Sequence, residues 1–341
     1  MVDSPLAHVV YVTEEDDRGD GLTFLLDVMT EPVVVLSILL GAILGGAVVT
    51  GYLRWQPARR DLLVGRTVLE GYRDLLPWLL RLGFGLPLVG AGFTGDFFNP
   101  IVTPVGVPAL TRVLQIILGF AILFGLATRV AATLTLLWYI GSIPFAPALV
   151  YSPEWIPGLV AIIVLGSGRP SADQVLERVA AADGTRYGSI DPVHRLAPSI
   201  RRAVAPVRPF VPTILRVGLG LTFAGLGLVE KLLSPRMAAD VVAQYELTQV
   251  IPIDPAYWIV AAGLSEIIIG VALVLGIFTR FFAGAALAVF VLALVGIPDD
   301  PVLAHIGIFA MTAALLITGG GPWSIDDRLR AEGGSPHPDT A

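Results

Sequence analysis

The 341-residue chain contains no cysteine. That excludes disulfides, dithiol redox chemistry, thiolate metal sites and cysteine nucleophiles together. Lysine is nearly absent: of 22 basic residues only Lys231 is a lysine. Histidine is scarce as well. Of His8, His194, His305 and His337 only His305 lies in an apolar segment, so two histidines of this chain are not expected to hold a haem, and no metal site is predicted. Charged residues make up 15% of the chain, where a soluble domain carries roughly a quarter. A net charge of −6 leaves no basic footprint for nucleic acid. P-loop, dinucleotide-fingerprint and H-E-x-x-H patterns are missing. Residues 1–31 hold eight acids against Arg18, the reverse of a signal peptide's basic start, so none is expected.

What remains is apolar. Hydrophobic residues make up 55% of the chain and mean hydropathy is +0.78, which predicts an all-α integral membrane protein. Nine transmembrane helices are expected: 32–53, 76–95, 107–127, 130–148, 154–168, 212–230, 256–278, 281–297 and 302–318. The chain then divides into an acidic extracytoplasmic N-terminus (1–31), an accessory helix (32–53), a linker (54–75), a four-helix unit (76–175), a second linker (176–211), a second four-helix unit (212–328) and a disordered tail (329–341). The Gly41-x-x-x-Gly45 pattern is expected to dock the accessory helix on the bundle. If every span crosses, all arginines except Arg18, Arg112 and Arg236 fall on or near one side. The positive-inside rule makes that side cytoplasmic, with the N-terminus outside and the C-terminus inside the plasma membrane. Trp55, Trp78, Trp155, Trp258 and Trp323 lie near span ends, where interfacial anchors belong, and Trp138 does not.

The two halves share three blocks in the same order. Leu80–Gly85 matches Leu215–Gly220. Gly119, Gly125, Thr128 and Arg129 match Gly270, Gly276, Thr279 and Arg280. Gly166, Gly168, Ser171 and Asp173 match Gly319, Gly321, Ser324 and Asp326. An even number of helices per unit makes this a parallel tandem repeat.

The run Leu215–Leu232, the segment Ser265–Arg280, His305 and the closing Gly319–Asp327 together resemble the DoxX/DoxD family of four-helix membrane proteins. The first unit reads as a degenerate copy. The resemblance implies a subunit or membrane anchor of a redox system linked to the quinone pool, of the thiosulfate:quinone oxidoreductase or oxidant-defence kind. It also implies a redox partner protein beside the lipid bilayer and leaves room for an oligomer. Many relatives have no assigned chemistry, so whether the chain is itself an enzyme stays open. The alternatives are a small-solute or proton transporter and a purely structural scaffold.

Glu266 sits about ten residues inside its span, roughly 15 Å deep. A carboxyl there should face the bundle interior, paired or protonated. It is either a proton acceptor and quinone hydrogen-bond partner or a structural clamp between helices, and the two readings weigh equally. Lys231 and Glu230 end the 212–230 span, where a lysine reaching for water is the simple account. His305, more often a packing residue than a ligand, lies in the same outer half. Glu266, His305 and Lys231 are therefore the candidate catalytic pocket, with Glu266 and His305 facing a quinone and Glu266 either protonated or sharing a proton with His305 near neutral pH. Asp299 and Asp300 flank its mouth. Arg81, Arg216, Arg280, Gln115 and Glu230 are assigned structural polar roles. The first unit has Gln115 in place of Glu266, Asp96 in place of Lys231 and Ser152 near the place of His305, which predicts one working unit and one scaffold.

Overall fold

The computed structural model describes residues 21–100, 107–190, 193–298 and 301–332. The N-terminal acids up to Asp20, Asp299, Asp300 and the end of the tail lie outside the described residues. All regular structure among the described residues is helical, as expected of an all-α membrane protein. The helices are α1 Gly21–Thr30, α2 Pro32–Trp55, α3 Arg59–Glu70, α4 Leu76–Thr94, α5 Ala109–Phe124, α6 Thr128–Ser142, α7 Trp155–Leu165, α8 Ala172–Ala181, α9 Arg186–Ile190, α10 Val193–Val204, α11 Val211–Gly225, α12 Pro235–Gln244, α13 Leu247–Val250, α14 Pro255–Leu275, α15 Thr279–Gly296, α16 Val302–Thr318 and α17 Ile325–Glu332.

Proline and glycine set the helix ends. Pro77, Pro212 and Pro255 stand in first turns, where the missing N–H costs nothing. Gly95, Gly125 and Gly276 stop α4, α5 and α14 in the left-handed conformation. Five segments are long and apolar enough to cross a bilayer: Pro32–Tyr52, Arg73–Thr94, Arg208–Leu232, Pro255–Leu275 and Thr279–Gly296. The other four expected spans are shorter helices, of 16, 15, 11 and 17 residues for α5, α6, α7 and α16. At 1.5 Å per residue α7 reaches only about half of a 30 Å hydrocarbon core. A 3₁₀ turn at Pro147–Tyr151 takes up part of the chain before it.

The two halves share one core rather than forming separate bundles. Helix α4 packs on α5 and on α16 of the other half, while α11 packs on α14 and on α7 of the other half. The first helix of each half thus lies against the last helix of the other. One buried cluster runs from Leu76 and Phe84 through Leu159 to Leu219, Phe290 and Met311. The matched glycines Gly83 and Gly218 sit at these two crossings. A Cβ on Gly83 would come within 2.3 Å of Ala310, and one on Gly218 within 2.2 Å of Pro157. Trp155, expected at the membrane interface, instead packs in this core with its ring 5.5 Å from Phe84 and 3% of its surface exposed.

The accessory helix α2 departs from expectation. Nothing lies within 4 Å of a Cβ placed on Gly41 or Gly45, so this motif does not dock on the bundle. The helix touches the second half at its ends, where Tyr257 donates to Glu31 at 3.0 Å and Tyr52 meets Phe278 edge-on. Its long middle is apolar all round, so lipid can cover it without a protein neighbour.

Candidate functional site: a buried carboxyl cluster

Helix α11 does not stop at Gly225 but widens into a π-helical turn, Leu226–Leu232. Such wide turns recur at functional sites because they re-aim side chains. This one carries Glu230 and Lys231. Gly227 lets the turn press on α14: a Cβ there would stand 2.5 Å from the Gly263 carbonyl and 3.0 Å from the Glu266 Cβ. Lys231 turns inward as a result, and its Nζ lies 2.8 Å from Glu266 Oε2. Both side chains are nearly buried, at 14% and 11% exposure, so Lys231 does not extend to water as a helix-end lysine would. The pair meets at ion-pair distance without hydrogen-bond alignment on Oε2.

Glu230, beside Lys231 in sequence, is also buried, and its Oε2 has no hydrogen-bond partner in the structure. It lies close enough to feel the charges of Lys231 and Glu266. A fourth member was not singled out from sequence. Glu154, just before α7, is buried in the first half within electrostatic reach of Glu230. Its position before Trp155 reads as an interfacial loop. The one available signal was that no other acid occurs between Asp96 and Asp173. The structure thus pairs Lys231 with Glu266, sets buried Glu230 beside them, and leaves Glu154 as a third buried carboxyl within electrostatic reach of Glu230. With every group ionised the buried charge would be −2, which an apolar bundle does not tolerate without protons or a further cation.

His305 has a different setting. Its Nδ1 is 3.2 Å from the Pro301 carbonyl, and its ring stands 5.3 Å from Phe290 of α15. Glu266 meets Lys231 at ion-pair distance.

Gln115, which the sequence aligns with Glu266, stands beside a packed aromatic group. Gln115 is fully buried; its Oε1 accepts from the Phe98 N–H at 2.8 Å and its Nε2 donates to the Asp96 carbonyl at 2.9 Å. These bonds pin Phe98 among Trp138, Tyr139 and Trp155, with ring centroids 5.2 to 5.5 Å away. Asn99 closes the loop by donating to Ser152 Oγ. Trp138, the tryptophan away from any span end, belongs to this plug.

The remaining polar residues anchor turns at the far end. Arg216 Nε donates to Gly320 O at 2.8 Å, and its other nitrogens reach the carbonyls of Leu273, Val274 and Trp323. Arg81 donates to Pro170 O. Asp326 accepts from the backbone N–H groups of Phe278 and Thr279 and from the Thr279 hydroxyl. Asp173 does the same with Ala127 and Thr128. Arg280 donates to the Leu316 and Ile317 carbonyls and pairs with Glu70 of α3 at 3.0 Å. Partial burial works to raise the Glu70 carboxyl, but hydrogen bonds and charge from Arg66 and Arg280 outweigh it and hold it below its ordinary value.

Residues 211–299 match the DoxX family model. This DoxX segment holds Glu230, Lys231 and Glu266, and it ends before His305. No curated protein and no solved structure matches the chain.

Proposed function

We propose that the chain is a membrane subunit of a quinone-linked redox system and that the Lys231–Glu266–Glu230–Glu154 cluster exchanges protons there. The observation that carries this reading is a charge imbalance: Glu266 and Glu230 stand beside the single ammonium of Lys231 inside the DoxX segment, and Glu154 of the first half adds a third buried carboxyl within electrostatic reach of Glu230. Quinone reduction consumes two protons with two electrons, so a quinone site needs a hydrogen-bond donor for a carbonyl and nearby proton-holding groups. The residues fit that need. Lys231 would donate to a carbonyl, Glu266 would hold Lys231 in place, and Glu230 and Glu154 would store and pass protons between the two halves. Phe98 packs beside Gln115 in the first unit, which favours one working site and a tandem duplication in which the first copy became scaffold. The arginine distribution supports a plasma-membrane topology with the linkers and C-terminus cytoplasmic.

Titration of the full-length protein in detergent with a short-chain quinone, read by quenching of tryptophan fluorescence, tests the proposal. Saturable quenching is expected, weakened about tenfold when Lys231→Met removes a charge-assisted hydrogen bond. Absence of saturable binding by the wild type would remove the quinone role. Proton uptake by proteoliposomes without any quinone would favour transport instead.

A further inference from the structure

Arg129 and Arg280 occupy matched positions in the two halves and make matched bonds. Arg129 Nε donates to Ile163 O at 2.9 Å, and Arg280 Nε donates to Leu316 O at 2.8 Å. Their ionic surroundings differ. Arg280 is neutralised by Glu70. Arg129 has no carboxylate at ion-pair distance among the described residues, and it faces the like charges of Arg201 and Arg208. Asp173 is near, but both its oxygens are taken by the Ala127–Thr128 turn.

Arg129 borders an open groove of about 820 Å³ between the start of α6, the 165–169 turn and the linker helices α8 and α10. Arg169, Arg178 and Arg201 line it as well, against Asp173 and Glu177 as its only acids among the described residues. Glu177 is engaged by Arg201 at 2.7 Å. The side-chain oxygen of Gln174, with its amide turned to accept, takes bonds from Arg169 Nε at 2.7 Å and Arg178 at 3.3 Å. The guanidinium groups of Arg129, Arg169 and Arg178 are thus left without a carboxylate partner among the described residues. Leu126 and Leu165 give the same groove an apolar wall. It lies at the end of the bundle where α5 stops and α6 begins, opposite the Lys231 end of α11.

We propose that this groove binds a phosphate group, which supplies to Arg129 the negative charge that Glu70 supplies to Arg280. Convergent guanidinium forks match the tetrahedral oxygens of phosphate and can bind them bidentately. The phosphate is either the headgroup of an anionic phospholipid, whose chains would follow the apolar wall, or that of a soluble phosphate compound. The groove is independent of the quinone reading, because it shares no residue with the carboxyl cluster.

The test uses the full-length protein in nanodiscs of phosphatidylcholine. One arm adds phosphatidylglycerol to the lipid. The other adds inorganic phosphate, compared with chloride at matched ionic strength. Thermal unfolding is followed for the wild type, for Arg169→Gln/Arg178→Gln and for the control Arg59→Gln/Arg60→Gln, whose arginines lie on exposed α3. A stabilised wild type and control with a groove variant about 30-fold weaker in apparent affinity is expected. Stabilisation in the phosphatidylglycerol arm alone assigns the site to a lipid headgroup, and stabilisation by inorganic phosphate assigns it to a soluble ligand. No stabilisation in either arm, or equal stabilisation of the groove variant and the wild type, overturns the proposal.

Discussion

At the scale of single residues, the pairing of Lys231 and Glu266 yields an unequal pair of mutants. Lys231→Met leaves Glu266 buried beside Glu230 with no cation, so a loss of about 3–5 kcal/mol is expected. Glu266→Gln leaves Lys231 next to Glu230, which can take over as its partner, so the loss should be smaller. Denaturant unfolding in mild detergent compares the two, and equal losses would mean that Glu230 does not share the site. In the first unit, Gln115→Leu strands the Phe98 N–H and the Asp96 carbonyl and should cost about 1–3 kcal/mol. Quinone binding should be left intact, because Gln115 serves the plug and not the cluster. Much of this was legible in the sequence, since an acid and a lysine in apolar runs demand partners. The partner chosen was not. Lys231 reads as a helix-end residue until the π turn aims it inward, and Glu154 comes from the other half of the chain.

At the scale of elements, the close approach of the π turn to α14 gives the sharpest contrast. Gly227→Ala drives a methyl into the Gly263 carbonyl and should cost about 1–3 kcal/mol and shift the Lys231–Glu266 contact. Gly225→Ala, two residues earlier in open space, should be neutral or stabilising by up to about 1 kcal/mol. Helix α3 offers a pH test. Glu70 titrates below its ordinary value when folded, so its pairing with Arg280 and Arg66 contributes above the unfolded value and fades as pH falls through the folded one. The wild type should therefore exceed Glu70→Gln in stability at neutral pH and converge with it in acid. Helix positions were readable from glycine, proline and charge punctuation. The π turn was not, because no residue pattern separates it from an α-helix that runs on. Docking of α2 was misread because Gly41-x-x-x-Gly45 marks a face on which a helix can pack, not that a partner is present.

At the scale of the whole molecule, the matched blocks of sequence foreshadowed matched turns, with Asp173 and Asp326 in the same bonds. They did not reveal that the first helix of each half packs on the last helix of the other, since Gly83 and Gly218 mark a crossing without naming what crosses. The topology is testable because the chain has no cysteine. Arg186→Cys should resist labelling from outside intact cells and react after permeabilisation, and labelling from outside would reverse the proposed orientation. The central claim is that the shared core holds a carboxyl cluster able to carry a proton. Infrared difference spectra of the full-length protein across pH measure this most directly. The account predicts a buried carboxylic C=O band at neutral pH that diminishes in Glu230→Gln or Glu154→Gln, because a proton shared by coupled acids belongs to the cluster as a whole. A spectrum showing only ionised carboxylates at neutral pH would contradict it.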